Sequence, residues 1–193
     1  VRYSFVEVYS TILNQFIPGL FEISDLTAII VMQIRLPRIV MALLTGAGLA
    51  IAGAEMQVIL RNPLASPFTL GVSAGAALGA SLAVIVGISF LGGEYFLIGN
   101  AFLFSLIPAF VIFGLSRLKT AGPGMMILAG IAMSYIFASV SSLISYFSNA
   151  EELKALSLWM MGNLSRATWD DIAPLAVVQG VCIPLLLWKV REL

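Results

Sequence analysis

Few side chains in this sequence could carry chemistry, and what is missing narrows the possibilities first. There is no histidine, which removes the commonest general base and metal ligand. The single cysteine, Cys182, sits in an apolar run, so neither a disulfide nor a cysteine-rich metal site can form within the chain, and its expected role is small core packing. No glycine-rich phosphate loop of the form G-x-x-x-x-G-K-[ST] occurs, and no carboxylate pair lies inside an apolar segment. The chain is therefore not expected to be an enzyme, and any ATP-driven work would fall to a partner.

Three polar groups remain. Glu55 is the only ionisable residue inside a long apolar stretch; it is either a functional site facing a wet cavity or a hydrogen-bonded carboxylate within two turns of Arg61 near the membrane surface. Ser134, Ser141, Ser142, Ser145 and Ser148 recur along one segment. Their hydroxyls either line a water-filled path or bond their own preceding carbonyls and let helices close up. Arg35 and Arg38 flank Leu36-Pro37, where they either snorkel to lipid phosphates or offer fork-shaped recognition of a partner's carboxylates.

The elements that must position these groups are membrane helices. The 193 residues are 60% hydrophobic and only 10% charged, and the mean hydropathy is +1.03. Soluble domains are about 45–50% apolar and about 25% charged. Ten basic and ten acidic residues cancel, so nothing in the charge balance points to nucleic acid. The expected fold is an all-α polytopic bundle forming a single membrane domain over 1–193. Its spanning helices are placed at about 39–60, 67–88, 95–116, 125–147 and 171–189.

Shorter elements surround them. The Ser4-Phe5-Val6-Glu7 capping box predicts a helix over about 5–16, and Ser24 a second one to about Gln33, ending ahead of Pro37. Asn149 predicts a short interfacial helix over about 150–161, closed by Gly162. Small residues recur every fourth position at Ala42, Gly46, Ala50 and Ala54, and more strongly at Gly71, Gly75, Gly79, Ala83 and Gly87. Such a bare face admits a neighbouring backbone, so the 67–88 helix is expected to be central. The segment 95–116 carries bulky Phe residues suited to lipid and an interior Pro108 expected to kink it. The chain opens on Val1, and Arg2, Glu7 and Pro18 disqualify the first 18 residues as a signal peptide, so truncation at the start is expected. Alternation puts Arg61, Arg117, Lys119, Lys189 and Arg191 on one side and Arg2, Arg35, Arg38, Lys154 and Arg166 on the other, an even split that leaves orientation open.

The order of the motifs adds a resemblance. R-L-P-R at 35–38, A-G-A-E-M-Q at 52–57, R-N-P-L-A-S-P at 61–67, L-G-V-S-A-G at 70–75, L-A-G at 128–130 and L-W-M-M-G at 158–162 together resemble FecCD-type permeases of binding-protein-dependent ABC importers. The resemblance covers nearly the whole chain and implies the second to sixth helices of a ten-helix permease. It implies a non-catalytic subunit in the cytoplasmic membrane of a prokaryote, binding no cofactor itself. Its partners would be a second permease subunit, two cytoplasmic ATPase subunits using ATP and magnesium, and an external substrate-binding protein. Arg35 and Arg38 would then lie outside and dock that protein.

Further roles follow only from the resemblance. Gly71, Ser73, Ala74 and Gly75, with Thr120, Gly122, Pro123 and Gly124, would lie near the cytoplasmic gate of the path, and Ser134, Ser141, Ser142 and Ser145 would line it. Cobalamin-type members carry serine and threonine in the gate loop, where this chain has Ala121-Gly122-Pro123-Gly124. An iron-siderophore is the expected cargo, with cobalamin or haem as alternatives. From other classes, an ion-coupled transporter or channel using Glu55, or a purely structural membrane protein, remains open.

Overall fold

The computed structural model describes residues 4–90, 96–118 and 122–190. All regular structure among them is helical, as the composition led one to expect. Helix α1, Phe5–Phe16, starts where Glu7 reaches back to accept the Ser4 N–H at 2.7 Å. It is followed by a turn at Gly19, which takes φ +85°, and the Asn14 carboxamide oxygen accepts from the Leu20 and Phe21 N–H groups there.

The next helix departs from the expected break before Pro37. α2 (Asp25–Ile29) runs through a wide π-helical stretch, Ile30–Arg35, straight into α3 (Leu36–Ile59), giving one helical run of 35 residues. The Leu36 N–H bonds the Val31 carbonyl five residues back. That widened turn lets the chain pass a residue with no N–H of its own without breaking. R-L-P-R thus lies inside a continuous helix and not at a helix start.

Arg61 closes α3 in the left-handed region, with φ +47°. The Asn62 N–H bonds Gln57 O and the Arg61 N–H bonds Val58 O, the paired bonds of a Schellman end. Asn62 Oδ1 then accepts the Leu64 N–H, and the Thr69 hydroxyl both accepts the Ser66 N–H and donates to Ser66 O. These bonds, with Gly71 at φ +79°, hold 62–71 as turns. Helix α4 therefore begins at Val72, runs to Ser81 and continues through a wide turn, Leu82–Val86, until Gly87 at φ +72° stops it. The segment placed at 67–88 contains only this shorter helix. About 22 Å long at 1.5 Å per residue, it falls short of a hydrocarbon core about 30 Å thick.

α5 (Phe96–Ser116), α6 (Pro123–Tyr146), α7 (Ala150–Met160) and α8 (Trp169–Val190) complete the order, with a short 3₁₀ turn at Leu164–Arg166. Asn149 accepts the Glu152 N–H to start α7, and Thr168 exchanges bonds with Asp171 to start α8. Among the described residues, four helices are long and apolar enough to cross a membrane: Asp25–Ile59, Phe96–Ser116, Pro123–Tyr146 and Trp169–Lys189. Phe102, Phe110 and Phe113 of α5 point outward, as do Leu43, Leu143 and Leu187 of other spans. Such faces call for an apolar surrounding, lipid or further helices.

The chain forms two compact units, residues 51–162 and residues 1–50 with 163–193. In the first, a core of Leu60, Ala65, Leu70 and Met126 lies beneath the 62–71 turns, with Met56, Val72, Ile112 and Ile127 packed on it. α4 closes onto α5 through its glycines. A Cβ on Gly75 would stand 2.6 Å from Phe104 O, and one on Gly79 would collide with the Asn100 carbonyl. Pro108 cannot supply the N–H that Phe104 O would otherwise receive, so the carbonyl against Gly75 is one the α5 ladder leaves free. On the other side Gly130 of α6 takes the backbone of Thr69 and Leu70 at equally close range. Asn100, wholly buried, donates to Ile88 O and accepts the Phe90 N–H, tying the segment after α4 to α5.

In the second unit α8 is joined to α2–α3 by two side chains. The Trp169 indole N–H donates to Met32 O and the Gln179 amide to Leu44 O, each at 2.9 Å. Donors and acceptors ascend together in both segments, so the helices run parallel. Gly48 is the glycine that makes room, because a Cβ there would strike the Gln179 side chain. The four-residue stripe anticipated on this helix lies elsewhere: Ala42, Gly46, Ala50 and Ala54 are exposed, and a Cβ at Gly46 would meet nothing among the described residues.

Candidate functional site

A cleft of about 520 Å³ opens within residues 51–162. One wall is α4, presenting Ser73, Ala74, Ala77 and Ser81, and the facing wall is α6, presenting Ala138, Ser141, Ser142 and Ser145. α7 contributes Leu156 and Met160, and Phe68 comes from the turn ahead of α4. Steps of three and four residues make this wall: 138, 142 and 145 follow one another along a single helix face, with 141 beside them.

The hydroxyls differ in their availability. Ser81 donates to its own Ala77 O at 2.6 Å and is spoken for. Ser141 Oγ is buried and has no hydrogen-bond partner among the described residues. A buried hydroxyl costs free energy until something pairs with it, so Ser141 favours a water or a polar solute group in the cleft. No charged residue lines the space, and its remaining walls are Ala, Leu, Met and Phe. Such a lining offers hydroxyl hydrogen bonds but no charge. A smaller cleft of about 250 Å³, beside Met56, Ile59, Leu70, Ile112 and Met126, is almost wholly apolar and offers no comparable chemistry.

Of the residues singled out in the sequence, the cleft gathers Ser73, Ala74, Ser141, Ser142 and Ser145. The others stand apart from it. Gly71 packs against Gly130 O and Ser134, and Ser134 Oγ donates to Gly130 O, so both belong to the α4–α6 contact. Gly75 is closed against α5. Ser148 donates to Ser145 O. Gly122 precedes α6, its carbonyl accepting the Met125 N–H, while Pro123 and Gly124 open that helix. Thr120 and Ala121 lie outside the described residues. Glu55 is half-buried on α3, does not line the cleft and has no hydrogen-bond or ion-pair partner among the described residues. Arg35 is half-buried and Arg38 exposed on the continuous helix.

Sequence reasoning placed α7 at the membrane interface and missed its part in the cleft. The available signal was Leu156 and Met160, an apolar i, i+4 pair on a helix that opens with Glu151, Glu152 and Lys154. It also passed over Asn100 and Gln179, whose polar groups stand in apolar segments and had to find partners, and over the reach of the Trp169 indole to another helix.

Comparison with known proteins agrees with the family resemblance. The FecCD transport family matches residues 1–193. A protein of Methanocaldococcus jannaschii named as an ABC transporter permease is 42% identical over 190 residues, covering 93% of this chain and 54% of that protein. A protein of Helicobacter pylori named as an iron chelatin transport system permease is 34% identical over 191 residues, 97% of this chain and 56% of the relative. Further relatives are named as permeases of hemin transport, vitamin B12 import and molybdate import systems. A solved metal-chelate-type ABC transporter in an inward-facing conformation superposes with a TM-score of 0.72 at 29% identity, over 92% of this chain and 61% of that one. The chain spans about half the length of the curated relatives it matches. With its whole length matched, this chain belongs to the FecCD transport family.

Proposed function

We propose that the chain is part of a permease subunit, matching the second to sixth of ten spanning helices, of an ABC importer that passes a metal chelate across the cytoplasmic membrane by alternating access. The observation that carries this reading is the hydroxyl-lined, uncharged cleft between α4 and α6, with the unpartnered Ser141 at its wall. Affinity would reside in an external binding protein, while the cleft would offer passage. Close-packed glycine contacts on either side of α4 suit such a part, because packed interfaces shift between discrete arrangements instead of deforming smoothly.

The remaining assignments complete the reading. Arg35 and Arg38 form an external edge that meets carboxylates of the binding protein, and the Gly71–Gly75 segment with Gly122, Pro123 and Gly124 lies toward the cytoplasmic gate. Two ATPase subunits hydrolyse magnesium ATP, and a second permease subunit completes the path. An iron chelate is the cargo we favour, supported by the name of the Helicobacter pylori relative and by the metal-chelate-type neighbour. Glu55 lies away from the cleft, so an ion-coupled path gains no support from it.

The test uses the intact permease with its ATPases in proteoliposomes, Cys182→Ser as background, and Ser73→Cys or Ser141→Cys as reporters. A water-soluble maleimide should label both at rates that change between nucleotide-free and vanadate-trapped states, and cargo delivered by the binding protein should slow labelling. Labelling indifferent to both nucleotide and cargo would remove the cleft from the path.

A further inference from the structure

The backbone around R-L-P-R has one carbonyl too many. In a plain α-helix Met32 O would receive the Leu36 N–H, but that N–H is committed to Val31 O. With the five-residue offset of a wide turn the donor would come from residue 37, which is proline and has none. Met32 O is thus deprived of both intrahelical donors by its own sequence. The Trp169 indole, 137 residues away in the chain and on the first turn of α8, supplies the missing N–H at 2.9 Å. Thr168 and Asp171, exchanging bonds at the start of α8, fix the turn on which Trp169 stands.

The wide turn is not neutral for the arginines. Arg35 is its last residue, while Arg38 belongs to the first turn of α3 beyond it. Return to plain α pairing would remove the extra residue from the turn. Everything on its N-terminal side would then rotate by about 100° and move about 1.5 Å relative to α3, the step of one residue. Arg35 lies inside the affected turn, and Arg38 does not.

We propose that Trp169 is a positioning residue for docking: its indole N–H pairs the orphaned Met32 carbonyl, holds the wide turn, and so sets Arg35 relative to Arg38. This rests on the reading that the two arginines meet the external binding protein. The pairing also ties the docking edge to α8, so α8 and the R-L-P-R segment move together.

Affinity of the binding protein for the intact permease in nanodiscs, measured at low and moderate salt, decides it. Trp169→Phe keeps an aromatic ring and removes only the donor; it should weaken docking about fivefold, equivalent to about 1 kcal/mol. In an Arg35→Gln/Arg38→Gln background the same change should cost nothing further, because the residues it positions are gone. In a Pro37→Ala background it should again cost nothing, because residue 37 then supplies a backbone donor. Unchanged docking in Trp169→Phe, or the same fivefold loss in all three backgrounds, overturns the inference. If the arginine pair itself changes nothing, the docking reading falls and takes this one with it. If the pair weakens docking and Trp169→Phe does not, this inference alone falls.

Discussion

Gly75→Ala is the sharpest test of how α4 is seated. The added Cβ would stand 2.6 Å from Phe104 O, 3.1 Å from its carbonyl carbon and 3.3 Å from the Ser105 Cα, all backbone atoms that cannot rotate away. Ordinary contact begins near 3.4 Å, so α4 or α5 must give by about 0.8 Å. Overpacking of this kind costs about 1–3 kcal/mol. Alanine's better helix propensity returns up to about 1 kcal/mol. A net loss of about 1–2 kcal/mol is expected, and Gly79→Ala, which meets the Asn100 carbonyl on the same face, should behave alike. Gly114→Ala on α5 is the control, since a Cβ there meets nothing within 4 Å. It should be neutral or slightly stabilising. Unfolding of the intact protein in mixed micelles by a denaturing detergent reads the difference directly. Gly75→Ala as stable as Gly114→Ala would refute the close seating of α4 on α5.

Three further outcomes are expected. Asn100→Leu leaves Phe90 N–H and Ile88 O without their partner and should cost about 2–4 kcal/mol in the same unfolding assay; a loss below about 0.5 kcal/mol would show that the pairing carries no weight. Arg61→Gly relieves a left-handed residue at the end of α3 and should stabilise by about 0.5–1 kcal/mol, whereas Arg61→Ala should not. Glu55→Gln should leave ATP-driven uptake in proteoliposomes close to wild type, and an uptake that disappears when the ion gradient is collapsed would revive a role for this carboxylate.

Much of the helix order was legible because each signal was local. A capping serine with glutamate three residues on, an asparagine cap, a closing glycine and an apolar run all act through backbone groups within a turn of one another. α1 and α7 follow their caps for that reason, beginning at Phe5 and Ala150. The same locality misled at Pro37. A residue before proline is pushed away from the α region, yet the wide turn and a distant indole let the helix continue. At 67–88 apolar composition suggested a spanning helix, but the bonds of Ser66, Thr69 and Gly71 made its first turns a loop.

The serines show the division most clearly. Ser134, Ser141, Ser142 and Ser145 share a helix face by spacing alone, and hydropathy puts that face in a membrane. Which of them meets open space was decided by α4. Gly71, just ahead of it, and Gly130 of α6 let the two segments close so tightly that Ser134 is taken into the contact, while Ser73 and α7 stand back far enough to leave a cleft at Ser141 to Ser145. By itself the sequence determined the membrane class, the lack of histidine and the family motifs, because these depend on residue type and short-range spacing. Tertiary structure alone decided the cleft, the Asn100 tie and the Trp169–Met32 bond. Each of these depends on where a backbone carbonyl or a side chain far along the chain comes to rest, and no local pattern encodes that.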